Sequence, residues 1–343
     1  MNRAGRFSVT DRLLRRLALA SLIANVTIVI TGGAVRLTGS GLGCPTWPRC
    51  TADSYVATPE MGIHGAIEFG NRLMTGVLSV IALAGLIAAI RYRPRRRSLI
   101  VLAALVLLGI AAQAVIGGIT VWTGLHPSVV GVHFIVSIAL IAAAYAFWRR
   151  VDESDGPVRA VVPGPLRTLT WITVAVSALV ILLGVLVTGS GPHSGDPSAP
   201  RNGLDPEAIS QVHADFVFLF IGLSVALWYA LRAVAAPPTA VRAAGTLVVV
   251  ELGQGLIGYV EYFTGLPVIL VGAHMLGSCL VWWATLAVLW ATRERAQRRQ
   301  VSTASAKRSA APAEYPRNND GSVSSSSTSS GVPSGPGIRS TRA

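Results

Sequence analysis

Charge is what this chain has least of. Asp, Glu, Lys and Arg supply only 13% of its 343 residues, about half the share of an ordinary soluble domain, too few to cover a water-facing surface. Acid is scarcer than base, 16 residues against 29, giving a formal net charge of +13. Cysteine is nearly absent, with three residues in all, which excludes a disulfide scaffold and a four-cysteine zinc site. The first apolar run follows Arg12, Arg15 and Arg16 but lacks a small-residue cleavage site. It therefore reads as a retained span, not a signal peptide.

What the chain has instead is apolar length. Hydrophobic residues make up 52%, gathered into stretches near 17–37, 66–90, 99–121, 129–148, 169–189, 208–231, 244–262 and 268–291. Each can cross a bilayer, which takes about 20 residues per helix, and helices satisfy their own backbone hydrogen bonds in lipid. Basic residues cluster in alternate connections: Arg12, Arg15 and Arg16 before the first span, Arg91 to Arg97 after the second, Arg149 to Arg167 after the fourth. Arg232 and Arg242 flank the sixth-to-seventh link, and Arg293 to Arg299 follow the eighth. The other connections carry only Arg36, Arg49 and Arg201. The positive-inside rule then puts both termini in the cytoplasm. The positive charge reads as a topology signal with anionic membrane lipid as its partner. It is not gathered on one folded face, so nucleic acid is not expected as a ligand.

The chain also repeats itself. Residues 113–133 read QAVIGGITVWTGLHPSVVGVH and residues 254–274 read QGLIGYVEYFTGLPVILVGAH. A shift of 141 positions (254 less 113) superposes Gln113 on Gln254, Gly117 on Gly258, Thr123-Gly124-Leu125 on Thr264-Gly265-Leu266, and His133 on His274. Earlier, Val35-x-x-Thr38-Gly39-Ser40-Gly41 returns as Val185-x-x-Thr188-Gly189-Ser190-Gly191. Each copy holds an even number of spans, so both enter the membrane from the same side, as parallel repeats do. The expected fold is all-α and integral to the membrane: eight transmembrane helices as two tandem four-helix bundles, related by a pseudo-twofold axis along the membrane normal. The expected units are a cytoplasmic segment (1–16), a first bundle (17–148), a cytoplasmic linker (149–168), a second bundle (169–292) and a Ser-rich disordered tail (293–343).

Polar groups inside spans are costly and mark function. Here they are Glu68, Asn71, Arg72, Gln113, His133, His213, Asp215, Glu251, Gln254 and His274. The three histidines lie a few residues into the fourth, sixth and eighth spans, about 6–9 Å deep at 1.5 Å per residue. His213 and His274 share one repeat and can take both axial positions of a haem iron between helices. The alternative for each is a hydrogen bond to a neighbouring helix. His133 takes the matching place in the first repeat, but its partner position is Asn71, a poor haem ligand. That asymmetry leaves an open coordination position, which suits a bound substrate.

Glu68 and Asn71 share a helix face, and Glu68 and Arg72 have ion-pair spacing. The carboxylate either neutralises Arg72 for insertion or handles protons beside an oxidised carbon. His64, one turn earlier, is a neighbour for Glu68 or an alternative ligand. Cys44 and Cys50 bracket an outer loop, where spacing and compartment allow a disulfide, structural or redox-active; Cys279 reads as an inert buried thiol. His126 and His193 read as solvated loop residues.

Two stretches carry a resemblance. Gly32-Gly33-x-Val35-Arg36-x-Thr38-Gly39-Ser40-Gly41-Leu42-Gly43-Cys44-Pro45-x-Trp47-Pro48-x-Cys50 and Ile67-Glu68-x-x-Asn71-Arg72 resemble the haem A synthase family over about residues 15–292. The resemblance implies oxidation of the C8 methyl of haem O to a formyl, supplying haem A for cytochrome oxidase in a bacterial cell membrane. It implies haem b held by His213 and His274, haem O as substrate in the first bundle, an essential Glu68, and a Cys44–Cys50 pair. The implied partners are a haem O synthase as substrate donor, an electron donor and a second copy of the chain. Many members have His where this chain has Asn71, and some have a cysteine pair in the second outer loop that is absent here. A dihaem electron-transfer protein of the cytochrome b561 type is the rival, and it wants symmetric histidine pairs. A transporter would want paired Gly/Pro breaks at mid-membrane, which these spans lack.

Overall fold

The computed structural model describes residues 9–297. Eight helices in it are long and apolar enough to cross a membrane. They are α1 (Asp11–Leu37), α2 (Gly62–Arg91), α3 (Arg97–Trp122), α4 (Pro127–Val151), α5 (Gly164–Ser190), α6 (Pro206–Ala233), α7 (Pro238–Phe263) and α8 (Val268–Ala291). Local chemistry sets the starts. Thr10 accepts from the Leu13 amide at 3.2 Å to cap α1, and Asp205 accepts from Ala208 at 2.7 Å to cap α6. Proline opens α4, α6 and α7, where its missing N–H costs nothing.

Helices α1 to α4 pack in chain order and α1 closes on α4; α5 to α8 do the same and α5 closes on α8. The halves meet where α1 and α4 pack against α8 and α4 against α5. A shared core of Leu22, Leu78, Val106, Ile141, Cys279 and Trp282 fills the junction, and the Trp282 indole donates to Ile138 O at 3.1 Å.

The repeated Thr-Gly-Leu turns are structural twins. Gly124 and Gly265 have φ of 59° and 78°, and Leu125 and Leu266 have φ of 60° and 61°. The leucine amides donate to Thr120 O at 2.8 Å and Glu261 O at 2.9 Å, closing both helices the same way. A left-handed residue ends a helix by turning its amide back on the last carbonyls, and glycine does so without a Cβ penalty.

The sequence reading missed one element. Strand β1 (Glu153–Ala160) pairs antiparallel with β2 (Arg293–Gln297), matching Val158 to Arg295 and Ala160 to Arg293. The linker expected over 149–168 thus holds a strand, and the tail expected from 293 begins with one. Neither segment has an apolar alternation to reveal it; Glu153 provides the tie, accepting from the Trp290 indole at 2.6 Å. The remainder of the expected tail, and the start of the expected N-terminal segment, lie outside the described residues.

Candidate functional site

A cavity of about 520 Å³ runs through the interior and draws its walls from both halves, within the range of cofactor sites. Glu68, Asn71, Arg72 and His133 line it from the first half, and His213, His274, Glu251 and Gln254 from the second. The intramembrane polar residues singled out from sequence therefore converge, with Asp215 the exception. Asp215 is exposed and takes a 2.8 Å bond from Gln211, outside the lining.

Each histidine sits against a glycine of the preceding helix. A Cβ on Gly117 would lie 3.3 Å from Cε1 of His133, one on Gly184 3.2 Å from Cε1 of His213, and one on Gly258 2.9 Å from Cε1 of His274. Any larger residue at these positions would push the imidazoles. The matched glutamines fix the backbone behind two of them. Gln113 Nε2 donates to His133 O and Gln254 Nε2 to His274 O, both at 2.8 Å. Gly277 makes room for Gln254, whose Oε1 would be 1.6 Å from a Cβ there.

These residues fit a haem. The imidazoles are seated, the walls are largely apolar, and the ring nitrogen Nδ1 of His133 is buried without a hydrogen-bond partner. His213 and His274 both line the cavity from the second half. In the first half Asn71 Oδ1 accepts from Thr31 Oγ1 at 2.7 Å. His64 does not substitute. Its Nδ1 is 2.9 Å from Ser40 Oγ and its side chain is exposed, outside the cavity lining.

Glu68 is buried and pairs with Arg72 at 2.6 Å. Its second oxygen accepts the Cys44 amide. Arg72 also donates to Cys44 O at 3.1 Å, Thr46 O at 3.0 Å and Arg49 O at 3.1 Å. The ion pair thus holds the Cys44–Cys50 loop, which the disulfide closes. Trp47 and Pro48 of that loop line the cavity, so the loop roofs its first half. Cys279 is free and fully buried, as expected.

Several contributors went unread in the sequence. Arg36 lines the cavity and donates to Thr188 O at 2.7 Å and to His193 O. His193 is no solvated loop residue, since its Nε2 is 2.9 Å from Leu266 O. Glu251, which the sequence did single out, is buried, with Oε1 taking a 2.7 Å bond from Ser224. Glu261, seven residues after Gln254 and so on the same face of α7, carries the only signal by which it could have been found.

Residues 15–193, just over half of the chain, match the COX15-CtaA family of cytochrome oxidase assembly proteins. The chain is 33% identical over 183 residues to a protein named heme A synthase from Lysinibacillus sphaericus, covering 52% of this chain and 58% of that one. This first alignment thus spans less than two thirds of the relative. Against the heme A synthase of Symbiobacterium thermophilum it is 28% identical over 240 residues, covering 64% and 76%. Against that of Bacillus cereus it is 22% identical over 308 residues, covering 86% and 98%. Eight apolar helices around a histidine-lined cavity, bearing this match, make the chain a multi-pass membrane protein that belongs to the COX15-CtaA family, that of the haem A synthases.

Proposed function

We propose that this chain is a haem A synthase, an oxidoreductase that converts the C8 methyl of haem O to a formyl by two successive hydroxylations and loss of water. The observation that carries this reading is the division of one cavity. Its first half has one histidine, with buried Glu68 held by Arg72, and its second half has two histidines. A symmetric electron carrier of the cytochrome b561 type would need a fourth histidine where Asn71 stands, so that reading is not favoured.

His213 and His274 would hold a resident haem b, which supplies one-electron transfer when bound. His133 would hold the iron of the substrate haem from one side. Asn71, engaged with Thr31, would not be a second ligand to it. Glu68, buried in the same wall and oriented by Arg72, would handle protons at the carbon being oxidised. Trp47 and Pro48 would keep bulk water from that carbon. The arginine pattern favours cytoplasmic termini, with the cysteine loop on the outer face. A haem O synthase would deliver substrate, a separate donor would supply electrons, and a second copy of the chain would be a partner in the lipid.

The test is a haem extraction. The chain is expressed with a haem O synthase in a host that makes no haem A, and the extracted haems are identified by chromatography and mass. Haem A, with hydroxylated haem O as a minor species, is the expected result. Haem b alone beside unaltered haem O would overturn the proposal.

A further inference from the structure

Two buried polar atoms without hydrogen-bond partners lie close to each other at the end of α7. They are Nδ1 of His274 and Oε2 of Glu261, 3.6 Å apart. Glu261 belongs to α7, near its end at Phe263, and does not line the cavity. It approaches the ring at Nδ1, which leaves Nε2 free of it. The ring itself is confined, by the Gly258 seat and by the Gln254 bond to its own carbonyl.

We propose that Glu261 is a positioning residue for His274, accepting its Nδ1–H and so fixing the tautomer that leaves Nε2 for iron. This rests on the reading of His274 as a haem b ligand. Outer partners of this kind orient a ligating imidazole and raise its basicity. A more basic imidazole favours ferric over ferrous iron, so Glu261 lowers the potential of the resident haem.

The first half has no such device. The shift of 141 that matches His274 to His133 matches Glu261 to Thr120. Thr120 spends its hydroxyl on its own helix, donating to Gly117 O at 2.6 Å, and His133 Nδ1 stays without a partner. The duplicated sites have therefore diverged behind the ligand as well as in front of it. Of the three imidazoles only His274 is backed by a carboxylate; Nδ1 of His213 is without a hydrogen-bond partner, like that of His133.

The experiment is a redox titration with ferric spectra of purified protein carrying its own haem b, comparing wild type with Glu261→Ala and Glu261→Gln. In Glu261→Ala the ferric/ferrous balance should move about tenfold toward ferrous, a midpoint about 59 mV higher. The ferric low-spin signal should broaden or shift with it. Glu261→Gln keeps an oxygen acceptor without the charge, so it should restore a single low-spin signal at a potential between the two. Wild-type potential and spectrum in Glu261→Ala would overturn the proposal. If Glu261→Ala loses its haem, Glu261→Gln decides: retention with a raised potential supports the role, while haem loss or a wild-type potential overturns it. His274→Ala separates this from the parent reading. Stable low-spin haem b in that variant would remove the ligand assignment itself.

Discussion

Glu68 accepts the Cys44 amide and the Arg72 guanidinium while its side chain lines the cavity. One carboxylate thus anchors the roof and faces the reaction space, and substitution can separate the two jobs. Gln keeps one acceptor oxygen, for either the Cys44 amide or Arg72, fills nearly the same volume, and cannot take up a proton. If Glu68 handles protons, Glu68→Gln should keep the loop closed and the haem b spectrum intact, yet lower haem A formation about a hundredfold or more. Glu68→Ala should lose conversion too, and should also leave the half-buried Arg72 without its counter-ion. Pulse labelling of the haem pool, with haem O accumulating in both variants, checks this. Near-normal haem A from Glu68→Gln would confine the residue to anchoring.

At the scale of elements, the roof depends on a helix that yields to it. A Cβ on Gly118 of α3 would come within 2.4 Å of the Trp47 ring. Trp47 also meets Trp122 edge to face at 5.3 Å, and the Trp122 indole donates to Trp47 O at 3.2 Å. The second copy has Tyr259 in place of Gly118 under the shift of 141, so only the first half can seat such a roof. Gly118→Val should lift Trp47 at a cost of about 1–3 kcal/mol, lower the thermal midpoint in detergent and reduce haem O conversion. The haem b of the second half should remain. Unchanged conversion with a lifted loop, read by tryptophan fluorescence, would show that the roof is dispensable.

What the sequence revealed at this scale was periodic or local. The spans and the Thr-Gly-Leu turns are set within a few residues, and each was legible. Glu261 and Arg36 were not, because their roles depend on partners brought close by packing. Arg36 meets His193 across 157 positions of sequence. The strand pair was illegible for the same reason, since only the Glu153–Trp290 bond and the backbone ladder announce it.

Across the whole molecule, the halves are fastened at both ends as well as through their shared core. At the end with the cysteine loop, Arg36 of the first half holds Thr188 and His193 of the second. At the other end Glu153 receives Trp290, and Arg293 and Arg295 lie 3.8 and 3.7 Å from it. Arg150 pairs with Glu153 at 3.0 Å and with Asp155 at 2.6 Å, and Arg96 reaches Asp155 at 3.3 Å. Partial burial pushes the Asp155 carboxyl upward, but the Ser98 hydroxyl and the two guanidiniums outweigh it and hold the group below its usual value. A depressed carboxylate lends stability that is complete above its unfolded value, about 3.9, and is lost as pH falls through the lower folded one. Asp155→Asn should therefore unfold at a lower temperature than wild type at neutral pH, with the gap closing below about pH 4. Because Asp155 is half exposed, added salt should narrow the gap as well. Thermal unfolding of both proteins in detergent across that range checks the sign. A gap independent of pH and salt would mean that Asp155 holds this end by shape and not by charge, leaving Glu153 to carry the electrostatic tie between the halves.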